Sequence, residues 1–564
     1  MKQFFVMFLM FSLPLFANNL LLTFQGNKNI TERELYDSLA LYKPYMYEFW
    51  KKEPAVDSKT LPLLSQTLSD YYKSRGYFHA IVTYLIRDNK VTINIEENKP
   101  IRIAHITRIS ELDIRSIIPF KVGDIFDAQK FNQSKKDIKL FYANHSFCDA
   151  KLNSKAWIDI QNDYAYLLYE TTPNEMCYFG QISISTSHTV DEDIVKSFLY
   201  IEENEPYSTE QITQSYKSLY AQEGIAKAII DTKELNASIV NIKVSIDEVE
   251  KPIRFQIGAG ISSDEGLMGT MGVKHRNLLG NLKTLSLNTR VTQIKQTIKS
   301  NINIPLQDRN ALSSELGFEN ENFIGYKERR VFANMLLKQR DIKHTFQEGL
   351  VFDYSNTYAS EDMLLFPEGT LFVPSLMLEW GMDTRDILLD PSKGYFLRTN
   401  IMGSVQSEIS HASYYKFNLT GGYILPLERS IIALKVKLGS LNLLGGEIPA
   451  SYRYYSGGMY SNRGYAYRRL GPTNEQGDPT GSDSIFETTA EYRFPVYGNF
   501  KGVVFSDNTF IDNTYLPNFD KVYSSVGLGI RYRTPIGPLA IDFGFDINDP
   551  LKQYALHFHI GELF

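Results

Sequence analysis

The chain has 564 residues, 59 basic and 65 acidic, giving a net charge of −6 and a pI near 5.9; 43% are hydrophobic and 22% charged, a folding composition. A mean hydropathy of −0.25 excludes a polytopic helical membrane protein, which needs repeated runs of about 20 apolar residues. No basic field or motif points to nucleic acid, and two cysteines exclude a disulfide-dense scaffold or a four-cysteine zinc site.

The N-terminus reads as a signal peptide over 1–17. One positive charge at Lys2 precedes an apolar run from Phe4 to Phe16, and Ala17 supplies the small residue expected at the cleavage site. Residues 18–250 then mix helices and strands in a repeating order. In the first unit, 18–100, a strand at Leu21–Phe24 leads to a helix opened by Thr31 and Glu34 at capping-box spacing. A helix over about 58–74 follows, then a break at Gly76 and two strands about Asp88-Asn89. The second unit, 101–176, predicts a strand at Ile101–Ile106, a short helix near Glu111–Ile118, a helix near 128–143 and two strands. The third, 177–250, predicts a strand at Phe179–Ser185, helices at Asp191–Phe198 and Ser208–Gln222, and strands near 226–233 and 238–248. Three β-α-α-β-β units of this length are small α+β domains in a row, not a tight solenoid.

From 251 to 564 the pattern changes to period two. Leu539, Ile541, Phe543 and Phe545 alternate with Ala540, Asp542, Gly544 and Asp546, while Leu434, Val436 and Leu438 alternate with Lys435, Lys437 and Gly439. One apolar face and one face of charges and glycines fit a membrane barrel with a lipid side and a wet lumen. Sixteen such segments start near 253, 267, 281, 296, 310, 327, 343, 370, 395, 411, 430, 484, 500, 523, 538 and 553, the even number a bacterial barrel takes. A strand with one greasy face closes the chain at the aromatic Phe564. Every second connection, such as Pro305–Arg309 or Pro495–Asn499, is expected to be a short periplasmic turn, whereas the connection at 444–483 is far the longest.

That long loop holds Gly457-Gly458 and Arg463-Gly464-Tyr465. Turned into the lumen, Arg463 needs acidic partners, because a buried guanidinium must be paired. Glu491 and Asp507, on the following strands, stand where they face inward. Cys148 and Cys177 can bridge in an oxidising compartment or remain as two thiols. His557 and His559 share a face of the last strand; lumen polarity accounts for them, and no metal or cofactor is expected. The signatures H-E-x-x-H, G-x-S-x-G and Walker A do not occur, so no enzyme is predicted.

These motifs together resemble a family. Gly457-Gly458, Arg463-Gly464-Tyr465, Glu491-Tyr492, Phe505-Ser506-Asp507, Gly527-Leu528-Gly529-Ile530-Arg531, Pro535-Ile536-Gly537-Pro538 and Asp542-Phe543 resemble the outer-membrane barrel-assembly and translocation superfamily that carries POTRA domains. Within it the order of parts is most similar to the TamA branch, named for the outer-membrane subunit of the translocation and assembly module. Asn462 departs from the pattern, which usually has Val or Ile there. The resemblance implies a lid loop locked in the lumen by Arg463 against Glu491, Phe505 and Asp507. It also implies a lateral seam between the first strand (Phe255, Ile257, Gly258) and the last (Phe558, Ile560, Gly561). Unfolded outer-membrane clients, of barrel or autotransporter-like type, would add to the seam by β-augmentation, in contact with outer-membrane lipid. An inner-membrane-anchored partner like TamB would dock on the N-terminal POTRA domain. The location implied is an outer-membrane barrel with periplasmic N-terminal domains. The alternatives are a two-partner secretion transporter and a passive porin or transport barrel with periplasmic domains.

Overall fold

A computed structural model describes residues 19–44, 53–186, 189–236, 238–341, 343–360, 366–427, 430–534 and 537–560. The signal-peptide segment 1–17, Gly561 and Phe564 lie outside the described residues. Two compact units emerge: one takes the chain up to Gly180 with Glu203–Glu210 and Lys233–Asn241, the other takes Gln181–Glu202, Gln211–Thr232 and everything from Ile242 onward. The third repeat contributes to both.

The first repeat runs β1 (Asn19–Gln25), α1 (Glu32–Ser38), β2 (Ala55–Asp57), α2 (Leu61–Ser74), β3 (Ile81–Arg87) and β4 (Lys90–Glu96). Thr31 and Glu34 close a reciprocal capping box at the start of α1. Asp88 and Asn89 both take positive φ between β3 and β4, as a tight hairpin turn demands. The sheet order is β2-β1-β4-β3, with β1 parallel to β4, so β3 is an edge strand. Buried Leu22, Val91 and Ile93 project from the sheet onto Leu35, Leu68 and Tyr72 of the helices.

The second repeat holds β5 (Arg102–Ile109), α3 (Ala128–Asn144), β6 (Lys151–Asp159) and β7 (Tyr164–Thr172), in the order β5-β7-β6. The helix expected at Glu111–Ile118 is instead an irregular turn. Ile114 and Ile118 are buried at helical spacing. However, the Asp113 carboxylate accepts the Arg115 backbone N–H, and Pro119 disfavours a helical residue before it. The third repeat comprises β8 (Tyr178–Ser185), α4 (Glu192–Lys196), α5 (Thr209–Tyr220), β9 (Ile225–Asn236) and β10 (Ile239–Glu248), ordered β8-β10-β9.

Sixteen antiparallel strands follow: β11 (Ile253–Ser262), β12 (Gly266–His275), β13 (Thr284–Val291), β14 (Lys295–Pro305), β15 (Asn310–Phe323), β16 (Tyr326–Arg340), β17 (His344–Tyr358), β18 (Gly369–Asp383), β19 (Gly394–Ser404), β20 (Ala412–Pro426), β21 (Ile431–Gly446), β22 (Ser484–Tyr497), β23 (Phe500–Asp512), β24 (Tyr523–Thr534), β25 (Gly537–Asp546) and β26 (Tyr554–Ile560). Each pairs with the next in chain order, forming a nearly closed barrel. Its polarity is inverted relative to a soluble protein. Leu528, Ile530, Ile541 and Phe543 are exposed on the outside, while Glu491, Arg493, Arg531 and Asp542 are buried inside. That is the alternation a lipid-facing barrel requires.

The third repeat is fastened to the foot of the barrel by the β12–β13 turn. Asn281 donates to Asp191 and accepts the Asp191 N–H, and Asn277 donates to Glu248 at 2.5 Å. Gly280, at φ +82°, sits where a Cβ would stand 2.5 Å from the Thr189 carbonyl oxygen. Arg309, in the next turn on that side, donates to the Leu199 carbonyl and lies over the Tyr200 ring.

Candidate functional site

The connection between β21 and β22 folds back into the barrel. Gly457 and Gly458 take φ +95° and +105°, a conformation that favours glycine. Their bend delivers Arg463, which is fully buried. Its Nε and Nη2 grip both oxygens of Asp507 at 2.8 and 2.9 Å, and its backbone N–H donates to Asp507 as well. Nη1 donates to Glu491 at 2.5 Å and to Asp542 at 3.2 Å. The guanidinium lies 3.5 Å from the centre of the Phe505 ring, a cation–π geometry.

Two further arginines complete the cage. Arg493 donates to Glu491 at 2.8 Å, and Arg531 grips Asp542 at 2.5 and 3.0 Å. Three guanidinium groups thus face three carboxylates, Glu491, Asp507 and Asp542, all buried. A desolvated cluster of this kind is tolerable only when its charges cancel and its lone pairs are used. Burial lowers the proton affinity of the Arg463 guanidinium, but the surrounding carboxylates overcome this and raise it above its ordinary value.

The rest of the loop is equally well held. Asn462 is buried with both ends of its amide used: Nδ2 donates to the Tyr523 carbonyl at 3.0 Å, and Oδ1 accepts from Ser525 at 2.6 Å and from the Gly464 N–H. Its departure from the family's Val or Ile is therefore matched by polar partners on β24. Ser456 and Ser461 both donate to Glu487, and Tyr465 donates to Asp546. Gly544 makes the approach possible, since a Cβ there would stand 2.3 Å from the Arg463 carbonyl oxygen. Across the lumen Arg468 pairs with Glu321 of β15 and lies over the Phe323 and Tyr455 rings. The loop is thus pinned to two walls at once.

The seam strands are the two ends of the sheet. β11 pairs with β12 and β26 with β25, and among the described residues no ladder joins β11 to β26. Phe255 and Ile257 project outward, with Ile257 86% exposed, and Gly258 turns inward beside Thr270. Phe558 and Ile560 project outward from β26. Cys148 and Cys177 form a disulfide, Cα–Cα 5.8 Å, between the second repeat and the start of the third. Among the described residues no group of His, Cys, Asp and Glu is arranged to hold a metal ion.

Three features escaped the sequence reading. Asp542 is the third partner of Arg463; its inward parity was legible, but its place opposite a loop 79 residues away was not. Arg468 carried no signal beyond its position in the loop. The β18–β19 connection, expected as a short turn, is a ten-residue strap over 384–393. Asp386 ties the strap to itself by accepting from the Ser392 and Lys393 N–H groups. Asp390 ties it to the far wall, pairing with Lys501 of β23 at 2.8 Å and with Arg533 of β24 at 3.3 Å. β20, β21 and β22 lie between, so the strap links strands that are not neighbours, at the end of the barrel that carries the β12–β13 turn.

Comparison with known proteins fits this architecture. The Omp85 superfamily domain matches residues 277–564, and the POTRA model, a surface antigen variable number repeat, matches 21–98, 99–173 and 177–249. The chain is 19% identical over 615 residues to outer membrane protein assembly factor BamA of Neisseria meningitidis, an alignment covering 94% of this chain and 75% of that one. It is 22% identical over 596 residues to BamA of Nitratidesulfovibrio vulgaris, covering 96% and 72%. The crystal structure of BamA from Haemophilus ducreyi lacking POTRA domains 1-3 superposes with a TM-score of 0.56 at 18% identity, covering 82% of this chain and 99% of that one. The relatives are assembly factors, and this chain is not an enzyme. Its barrel lies in the outer membrane and its repeats in the periplasm. With more than half of its length under one family model and three POTRA repeats before it, the chain belongs to the Omp85 superfamily.

Proposed function

We propose that this protein assembles or translocates outer-membrane clients by strand addition at the seam between β11 and β26. The observation that supports this best is that, among the described residues, each of the two strands has a ladder partner on one side only. An edge strand offers a row of unpaired N–H and C=O groups, and an extended client segment can take them without any covalent chemistry. Among the described residues no ladder between these two strands has to break first. The lid is held inside the lumen by an ion cage whose charges balance, which favours the seam over a passive pore as the working surface. The relatives' names as assembly factors point the same way.

On this reading the clients are unfolded barrel or autotransporter-like proteins, and three repeats before the barrel support a likeness to the TamA branch. A TamB-like partner anchored in the inner membrane would dock on the first repeat, whose edge strand β3 exposes Ile81, Leu85 and Ile86. Outer-membrane proteomics after depletion tests the proposal. A subset of barrel or surface proteins should fall and return with the wild-type chain but not with Arg463→Ala. If barrel proteins hold steady while small-solute uptake drops, the chain is a pore.

A further inference from the structure

His557, on the last strand, is buried although its neighbours Phe558 and Leu556 face lipid. Its ring reaches two other elements. Nε2 lies 3.1 Å from the Arg463 carbonyl oxygen; a carbonyl can only accept, so Nε2 carries the proton and donates. Nδ1 faces the hairpin between β11 and β12, 3.2 Å from Ser263 Oγ and 3.4 Å from Asp264 Oδ1. Asp264 in turn uses Oδ2 to accept the Met459 N–H of the lid at 3.1 Å. Gly458 permits that approach, since a Cβ there would stand 2.8 Å from Asp264 Oδ2. One junction therefore joins the last strand, the first hairpin and the lid. Among the described residues, the polar contacts from β26 to the first hairpin all run through His557.

We propose that His557 and Asp264 are positioning residues forming a three-way latch, which holds the seam shut and the lid seated together. The inference rests on the seam reading above and adds to it a coupling. Because each latch residue touches both the lid and the strand end opposite its own, the seam cannot part without loosening the lid, and an unseated lid frees the seam. Arg463 then serves twice, its guanidinium in the ion cage and its carbonyl as the acceptor that orients His557.

The test uses the full chain, folded into liposomes and checked for intact barrel by its heat-modifiable gel mobility. Seam closure is read from the cross-linking yield between one cysteine on β11 and one on β26. Lid seating is read from protease cleavage within 447–483. His557→Ala and Asp264→Ala should each lower the yield and raise cleavage roughly tenfold, the scale of losing one hydrogen bond to a charged group. His557→Phe, which keeps a ring but carries no nitrogen, should move both readouts as alanine does, which a merely space-filling role would not allow. Should an alanine variant fail to fold, Asp264→Leu, close to the carboxylate side chain in size but without an acceptor for the Met459 N–H, should move both readouts in the same direction. Unchanged yield and cleavage in a folded variant overturn the latch. A separate readout, insertion of a client barrel, distinguishes the two layers. If cross-linking the seam leaves client insertion intact while His557→Ala still moves yield and cleavage, the latch stands and the seam reading falls. If cross-linking blocks insertion but His557→Ala moves neither readout, the latch falls and the seam reading stands.

Discussion

Arg463 is the residue on which the lid depends. Arg493 and Arg531 each face their own carboxylate, so Glu491 and Asp542 keep partners without it, but Asp507 has Arg463 as its arginine. Removing one member of a buried pair strands the other, at a cost of about 3–5 kcal/mol. Arg463→Ala should therefore free the lid, seen as rapid cleavage within 447–483 of a barrel that remains folded. Arg463→Lys should not restore protection, because an ammonium cannot span both oxygens of Asp507 as the guanidinium does. At this scale the sequence was partly legible. Arg463, Glu491 and Asp507 stood out through the family's motif set and through parity along their strands. Asn462 could be noted as a departure, but its partners Tyr523 and Ser525 lie about 60 residues on, and no local pattern links them. His557 and Asp264 are nearly 300 residues apart, and only the circular arrangement of strands brings them together.

Among the elements, strands were the easiest to read, because a wall with lipid on one side and a crowded polar lumen on the other imposes period two along each strand, broken only locally where the register shifts, as at Ser413/Tyr414 and Pro495/Tyr497. Helices were harder where a polar side chain competed locally for the backbone, as Asp113 does ahead of Pro119. The strap over 384–393 shows why connection lengths mislead. Pro391 and Gly394 are turn residues, but what fixes the segment is the reach of Asp390 to Lys501 and Arg533 on strands remote in sequence. The strap presents Ile387, Leu388 and Leu389 exposed at the periplasmic mouth. Asp390→Asn should release it, since an amide cannot hold a lysine and an arginine by charge. The expected outcome is a larger single-channel conductance in planar bilayers with the lid still protected from protease, which would separate the floor of the lumen from its interior.

For the whole molecule, the sequence distinguished repeats from barrel because the apolar period changes near residue 251 from mixed to strictly alternating. It left the fastening between parts open. The junctions are made by single turns, such as Gly280 against Thr189, and by one covalent link. The Cys148–Cys177 disulfide closes a loop with a sequence separation of 29 and should contribute about 2–4 kcal/mol to the local fold. Cys148→Ser is expected to accelerate amide hydrogen exchange over β5, β6 and β7, and a reductant should do the same to the wild-type chain. Exchange across β11–β26 should not respond to either treatment.

The ion cage has a consequence for the order in which the chain reaches its native state. Its carboxylates come from β22, β23 and β25, all synthesised after the loop they hold. Ladders between sequence neighbours can form early because little entropy is lost in closing their short loops, whereas the cage gathers partners up to 79 residues from Arg463. The lid therefore has to wait, unlocked, until the C-terminal quarter of the wall has registered. In refolding experiments, protection of 447–483 should be the slow phase, trailing strand formation, and truncating the chain before β25 should abolish that phase while leaving the earlier one in place.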